Sequence, residues 1–136
     1  MRWFAANVKW IMILSGVLTC TMFYAAVAPE AALKSTFGES LTGPLAEIIV
    51  RNWGALIGLI GVLLIWAAYV PPSRAIALTI AGISKLVFIG LILSLGSQFM
   101  GQQAGIAVIT DAVMVVLYAL CLAAMRSSQS LSKEPV

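Results

Sequence analysis

Lys85 stands in the run AGISKLVFIG and Asp111 in AVITDAVMVV, two apolar stretches that hold no other Lys, Arg, Asp or Glu. An ionised group at the centre of a bilayer costs about 2.5–3.5 kcal/mol on insertion scales, while a Leu, Ile, Val or Phe beside it returns about 0.3–0.6 kcal/mol. A helix carrying Lys85 can therefore insert, but the ammonium turns toward a partner and away from hydrocarbon. If the run holding Lys85 leads outward and the next one returns, Lys85 lies about 15 Å and Asp111 about 8 Å below the outer surface at ~1.5 Å per residue. A lysine side chain covers most of that difference. The expectation is a Lys85–Asp111 ion pair inside a helical bundle, in its outer half, with Arg51 as a rival or additional partner for Asp111.

Two kinds of chemistry fit such a pair. It can staple two helices and fix their rotation, in which case removing one partner strands a charge at a cost of several kcal/mol while replacing both costs little. It can also form the floor of a polar pocket open to the outside, completed by Arg51, Glu47, Asn52 and Ser84. Intramembrane ionisable groups commonly mark substrate or proton paths.

The elements that must position these groups are legible from composition. Of 136 residues, 62% are hydrophobic, 10% are charged and none is histidine, far from the balance of a soluble domain. Apolar stretches at about 10–27, 44–70, 75–95 and 106–125 each approach the roughly 20 residues that cross a bilayer core. Lipid offers the backbone no hydrogen-bond partners, and these runs are too long and unbroken for barrel strands. The fold class expected is an all-α membrane protein, a four-transmembrane-helix bundle forming one integral membrane domain over residues 1–136, with a disordered tail at 126–136.

Arg2, Lys9, Arg74, Arg126 and Lys133 fall on one side of such a bundle and Lys34 and Arg51 on the other, so both termini are expected in the cytoplasm. Trp3, Trp10 and Tyr69 then belong to the inner interface, and Tyr24 and Trp53 to the outer one. The first run also has the look of a signal peptide, with AVA at 26–28 as a cleavage site. Its apolar part is long for that purpose and Pro29 follows the cut directly, so it reads as a true first helix. The formal charge of +3 is scattered at helix ends and forms no basic stripe, which argues against nucleic acid as a partner.

The segment PEAALKSTFGESLTG reads as a loop without regular structure, rich in Gly, Ser and Thr. The second helix starts at Pro44, a residue tolerated at a first helical position, and pairs Glu47 with Arg51 at i, i+4. PPSR at 71–74 is short enough to make the second and third helices antiparallel neighbours. Gly54, Gly58 and Gly61 let another backbone approach closely, within the bundle or in a homodimer. Cys20 and Cys121 form no C-x-x-C motif and read as two buried small hydrophobes.

With RNWGALIGLIGVLLIWAAY, SKLVFIGLIL and Asp111, the chain resembles small four-helix bacterial inner-membrane proteins grouped as a family of unknown function, over roughly residues 37–120. The resemblance implies a fold, a bacterial origin and an inner-membrane address. It carries no activity and no catalytic residue.

The function expected is that of a non-enzymatic accessory or scaffold protein whose partners are membrane lipid, another membrane protein or a second copy of itself, with no cofactor and no metal. The alternative is a small proton-linked transporter using the Lys85/Asp111 site. Small multidrug transporters have a comparable size and helix number, but they place an essential glutamate in the first helix, where this sequence has no acid. An enzyme is disfavoured: the sequence contains no metal-ligand cluster, no G-x-S-x-G and no paired carboxylates.

Overall fold

The computed structural model describes residues 2–131, all of whose regular structure is helical. Arg2 is described as backbone only, and Lys133 lies with the rest of 132–136 outside the described residues. Six helices follow in order: α1 (Arg2–Cys20), α2 (Phe23–Val27), α3 (Pro29–Phe37), α4 (Pro44–Tyr69), α5 (Arg74–Leu95) and α6 (Gln103–Leu131). Short 3₁₀ turns at Pro71–Ser73 and Ser97–Gly101 join α4 to α5 and α5 to α6. Four segments, Ala6–Val27, Pro44–Tyr69, Pro71–Leu95 and Gln103–Ser127, are long and apolar enough to cross a membrane. Their outward surfaces carry exposed Leu, Ile and Val along the whole length, a surface suited to hydrocarbon and not to water.

Three expectations are corrected. The segment after Pro29 is a helix, not an irregular loop. Pro29 occupies its first turn beside Glu30, Lys34 lies in the last turn, and Gly38 terminates it in the left-handed region at φ 75°. These are ordinary start and stop signals. Ala32 and Leu33 supply the apolar face, which packs with Ala25 and Val50. At the other end, α6 continues through Arg126 to Leu131, where a disordered tail was expected. Nothing between Arg126 and Leu131 breaks a helix already nucleated in the apolar run, since no Gly or Pro occurs there. Finally α1 begins eight residues before Trp10, at Arg2.

The first crossing is interrupted about three-quarters of the way along, between α1 and α2. The amides of Thr21 and Met22 reach back only three residues, to Leu18 and Thr19. The Thr21 hydroxyl shares the Leu18 carbonyl with its own amide, donating at 2.6 Å, and Thr19 donates one turn earlier to Ser15 O at 2.8 Å. Prolines make two further breaks, and an arginine answers each. Pro29 has no amide to donate at the end of α2, and Arg51 Nη1 donates instead to Ala26 O at 2.6 Å and Val27 O at 3.2 Å. Pro71 and Pro72 likewise leave α4 short of donors, and Arg74 Nη2 caps Ala68 O at 2.7 Å.

Contacts run α1 on α4, α4 on α5, α5 on α6 and α6 back to α1. The α1–α4 contact is made by glycines. A side-chain carbon placed on Gly61 would lie 2.7 Å from Gly16 O and Cys20 N, and one on Gly54 would lie 2.7 Å from Ala25 Cβ. Gly58 accommodates the ring of Phe23 in the same way, and Gly16 faces Ile65. The glycine face of α4 is thus filled by α1 and α2 of the same chain, which removes the surface on which these glycines would have dimerised. Val8, Met12, Leu64, Leu78, Tyr118 and Cys121 form the main buried cluster.

Because the clashing atoms are backbone, Gly61→Ala should destabilise the protein by about 1–3 kcal/mol. Gly90 has nothing within 4 Å of the same position, so Gly90→Ala should leave the thermal unfolding midpoint in detergent unchanged or slightly raised. Equal midpoints for the two variants would refute the close-packed α1–α4 contact.

Candidate functional site

Lys85 lies near the middle of α5, about 16 Å from either helix end at ~1.5 Å per residue. Its Nζ donates to Asp111 Oδ1 at 2.5 Å. The lysine side chain is 9% exposed and that of Asp111 18%. Once paired, the two groups carry no net charge, and α5 and α6 are fixed in rotation about each other. The helices are adjacent in sequence and joined by a short turn, which leaves their facing stripes in register.

The pair lies in the wall of a cleft of about 390 Å³. On α6 the cleft is lined by Gln103, Ala107, Thr110, Asp111 and Met114, a stripe at spacings of three and four residues. Ser84, Lys85 and Phe88 contribute from α5, and Trp53, Ile57 and Ile60 from α4. The α1 side consists of Leu18, Thr19 and Thr21, at the point where the helix is interrupted. Leu18 and Thr21 on one side, and Ile106 and Thr110 on the other, are exposed. The cleft therefore opens sideways, between α1 and α6, onto the apolar exterior.

Beyond the ion pair the interior closes. Tyr118, two turns further along α6, is buried, packs over Gly82 and points its hydroxyl toward Met114 Sδ at 3.8 Å. Ser15 of α1 is buried beside it. The cluster of Val8, Met12, Leu64 and Leu78 then fills the section. No polar file crosses it among the described residues.

The structure divides the six polar residues singled out in the sequence. Lys85, Asp111 and Ser84 share the cleft. Arg51 and Glu47 do not reach it: Arg51 donates to Glu47 Oε1 at 2.7–3.0 Å while capping α2, and both line a separate cavity of about 440 Å³ beside Pro29 and Leu41. Arg51 is therefore no partner of Asp111. Its guanidinium is held by the Ala26 and Val27 carbonyls at the end of α2. Asn52 is exposed and lines neither cavity, lying one helical step from the Trp53, Ile57, Ile60 stripe.

Thr19, Thr21, Thr110, Trp53 and Gln103 were not anticipated. The stripe on α6 is visible in sequence as Gln103, Ala107, Asp111, Met114 and Tyr118. The contribution of α1 is not, because it depends on where the helix breaks. Cys20 and Cys121 are both free, with Cys20 Sγ directed at Gly58 O and Cys121 buried.

Comparison with protein-family models, with curated proteins and with solved structures returned no match. The likeness noted from the sequence thus rests on the quoted residues alone.

Replacing one member of the pair leaves a charge without a partner in a nearly closed site. Lys85→Met or Asp111→Leu alone should cost about 3–5 kcal/mol, and the double variant should recover most of that loss. Denaturant unfolding in detergent measures all four proteins. Additive losses would mean that the two charges do not interact.

Proposed function

We propose that this chain is a non-enzymatic, four-helix membrane protein that binds a membrane-dissolved amphiphile in the cleft between α1 and α6. The observation that carries this reading is the form of the cleft. Its walls are mostly apolar, its mouth faces sideways, and its charged groups are one ion pair of zero net charge. Ligand sites of this size are typically apolar with a few polar groups that fix orientation. A lateral mouth suits a molecule already dissolved in the bilayer.

The charge pattern supports an orientation with both termini cytoplasmic, and the resemblance to small four-helix proteins implies a bacterial inner membrane. Lys9, Arg74 and Arg126 lie at the end where α4 meets α5, and Lys9 Nζ sits 4.3 Å from the centroid of the exposed Tyr69 ring. The cleft then faces the outer half of the membrane. An accessory role follows naturally for a protein with a lipid-binding cleft and a short exposed helix, α3, on the opposite end.

Native mass spectrometry of protein extracted in mild detergent tests this reading. The expected result is a retained small amphiphile that is lost in Ala107→Phe, where the added ring fills the cleft. A protein that carries no bound lipid in either form would refute it.

A small proton-linked transporter is the second reading, favoured by one observation. Asp111 keeps part of its carboxylate open to the cleft while Lys85 holds the rest. Substrate-induced proton release in detergent, abolished by Asp111→Asn, would support it. The closed cluster beyond Tyr118 weighs for the binding role.

A further inference from the structure

The head group that the cleft accepts can be read from its polar atoms. We infer that the occupant is a single-chain amphiphile with an uncharged hydroxyl head, which donates to the free oxygen of Asp111 and accepts from Lys85. This deepens the binding role proposed above and rests on it.

Charge decides first. Lys85 and Asp111 neutralise each other, so an anionic or cationic head would bring one uncompensated charge into a site walled by Phe88, Ile57 and Met114. That carries the penalty of an ion within hydrocarbon. A neutral head carries none.

Hydrogen bonding decides second. The ammonium has three N–H groups and spends one on Asp111 Oδ1. The carboxylate keeps its second oxygen, and its side chain remains partly open to the cleft. Thr110 and Thr21 have already committed their protons to Ile106 O and Leu18 O, so toward the cleft they act as acceptors only. The ion pair thus presents donors beside a free acceptor, Thr21 and Thr110 add acceptors at the mouth, and Ser84 and Gln103 can act as either. A carbonyl head satisfies only the donors, whereas a hydroxyl satisfies both kinds.

Volume decides third. A cleft of about 390 Å³ lies near the lower end of the ~300–1,000 Å³ range of small-ligand sites, which suits a small head with a stretch of one chain. The remainder of a longer tail leaves through the mouth between Leu18 and Ile106.

Trp53 lines the cleft and provides the probe. In full-length protein carrying Trp3→Phe, Trp10→Phe and Trp66→Phe, in phosphatidylcholine nanodiscs at pH 8, Trp53 is the only tryptophan. Its fluorescence is titrated with 8-bromooctanol, 8-bromooctanoate and 8-bromooctyltrimethylammonium, each then displaced by its unbrominated counterpart. The expected result is saturable, displaceable quenching by the alcohol, with both charged analogues weaker by at least about tenfold, or ~1.4 kcal/mol. Ala107→Phe should abolish it while leaving the thermal midpoint near that of the parent. Lys85→Met/Asp111→Leu should stay folded and bind the alcohol about tenfold more weakly. If either charged analogue binds as tightly as the alcohol, or the double variant binds it unchanged, the hydroxyl assignment is wrong and the cleft still binds amphiphiles. If none of the three gives saturable quenching, the binding role itself fails.

Discussion

An ammonium and a carboxylate placed within two apolar helices leave the chain few acceptable arrangements. Either charge alone, facing hydrocarbon, would cost about 2.5–3.5 kcal/mol, several times what any single apolar neighbour returns. Facing each other, they become one neutral polar object, and the rotation of α5 against α6 follows from that. Lys85 turns inward from α5, Asp111 meets it from α6, and the residues above and below on the same stripes are carried inward with them. Met114 and Tyr118 extend the stripe into the dry cluster on one side of the pair. Thr110, Ala107 and Gln103 extend it into the cleft on the other.

The cleft exists because α1 does not complete its contact with α6. Near Val8 and Met12 the two helices share a packed core. Near Leu18 the helix tightens into three-residue hydrogen bonds, and beyond it the chain follows α4, drawn by the glycines that let backbones meet. One helix is thus held by α6 at one end and by α4 along its length. The space left between Thr21 and Thr110 is the consequence. Small residues at helix contacts are the usual means of close approach where no hydrophobic force drives association, and here they are used up within one chain.

Backbone polarity explains the two arginines. A helix that ends at a proline leaves carbonyls without an intrahelical donor, and a nearby side chain can supply one. Arg51 and Arg74 fill that role for α2 and α4. Each guanidinium carries five N–H groups in a fixed fork, which lets one side chain serve a carbonyl and still reach another acceptor, as Arg51 does with Glu47. This is why Arg51 stays at the helix ends and leaves Asp111 to Lys85.

Much of this was legible before any coordinates. Hydropathy and run length alone determined an all-helical chain with four segments able to cross a membrane, and the scarcity of charge within them singled out Lys85 and Asp111 as the groups needing partners. Pro44 as a helix start and the Glu47–Arg51 spacing were local facts and could be read locally. So were Pro29, Glu30, Lys34 and Gly38, the boundary signals of α3, although the nearby Gly, Ser and Thr obscured them. Tertiary structure alone decided that Arg51 serves backbone carbonyls, that the glycines of α4 face α1, and that Thr21 and Thr110 border a common opening. Each of those depends on which residues distant in sequence come within a few ångströms. Side-chain periodicity states which face a residue occupies, and only packing states what that face meets.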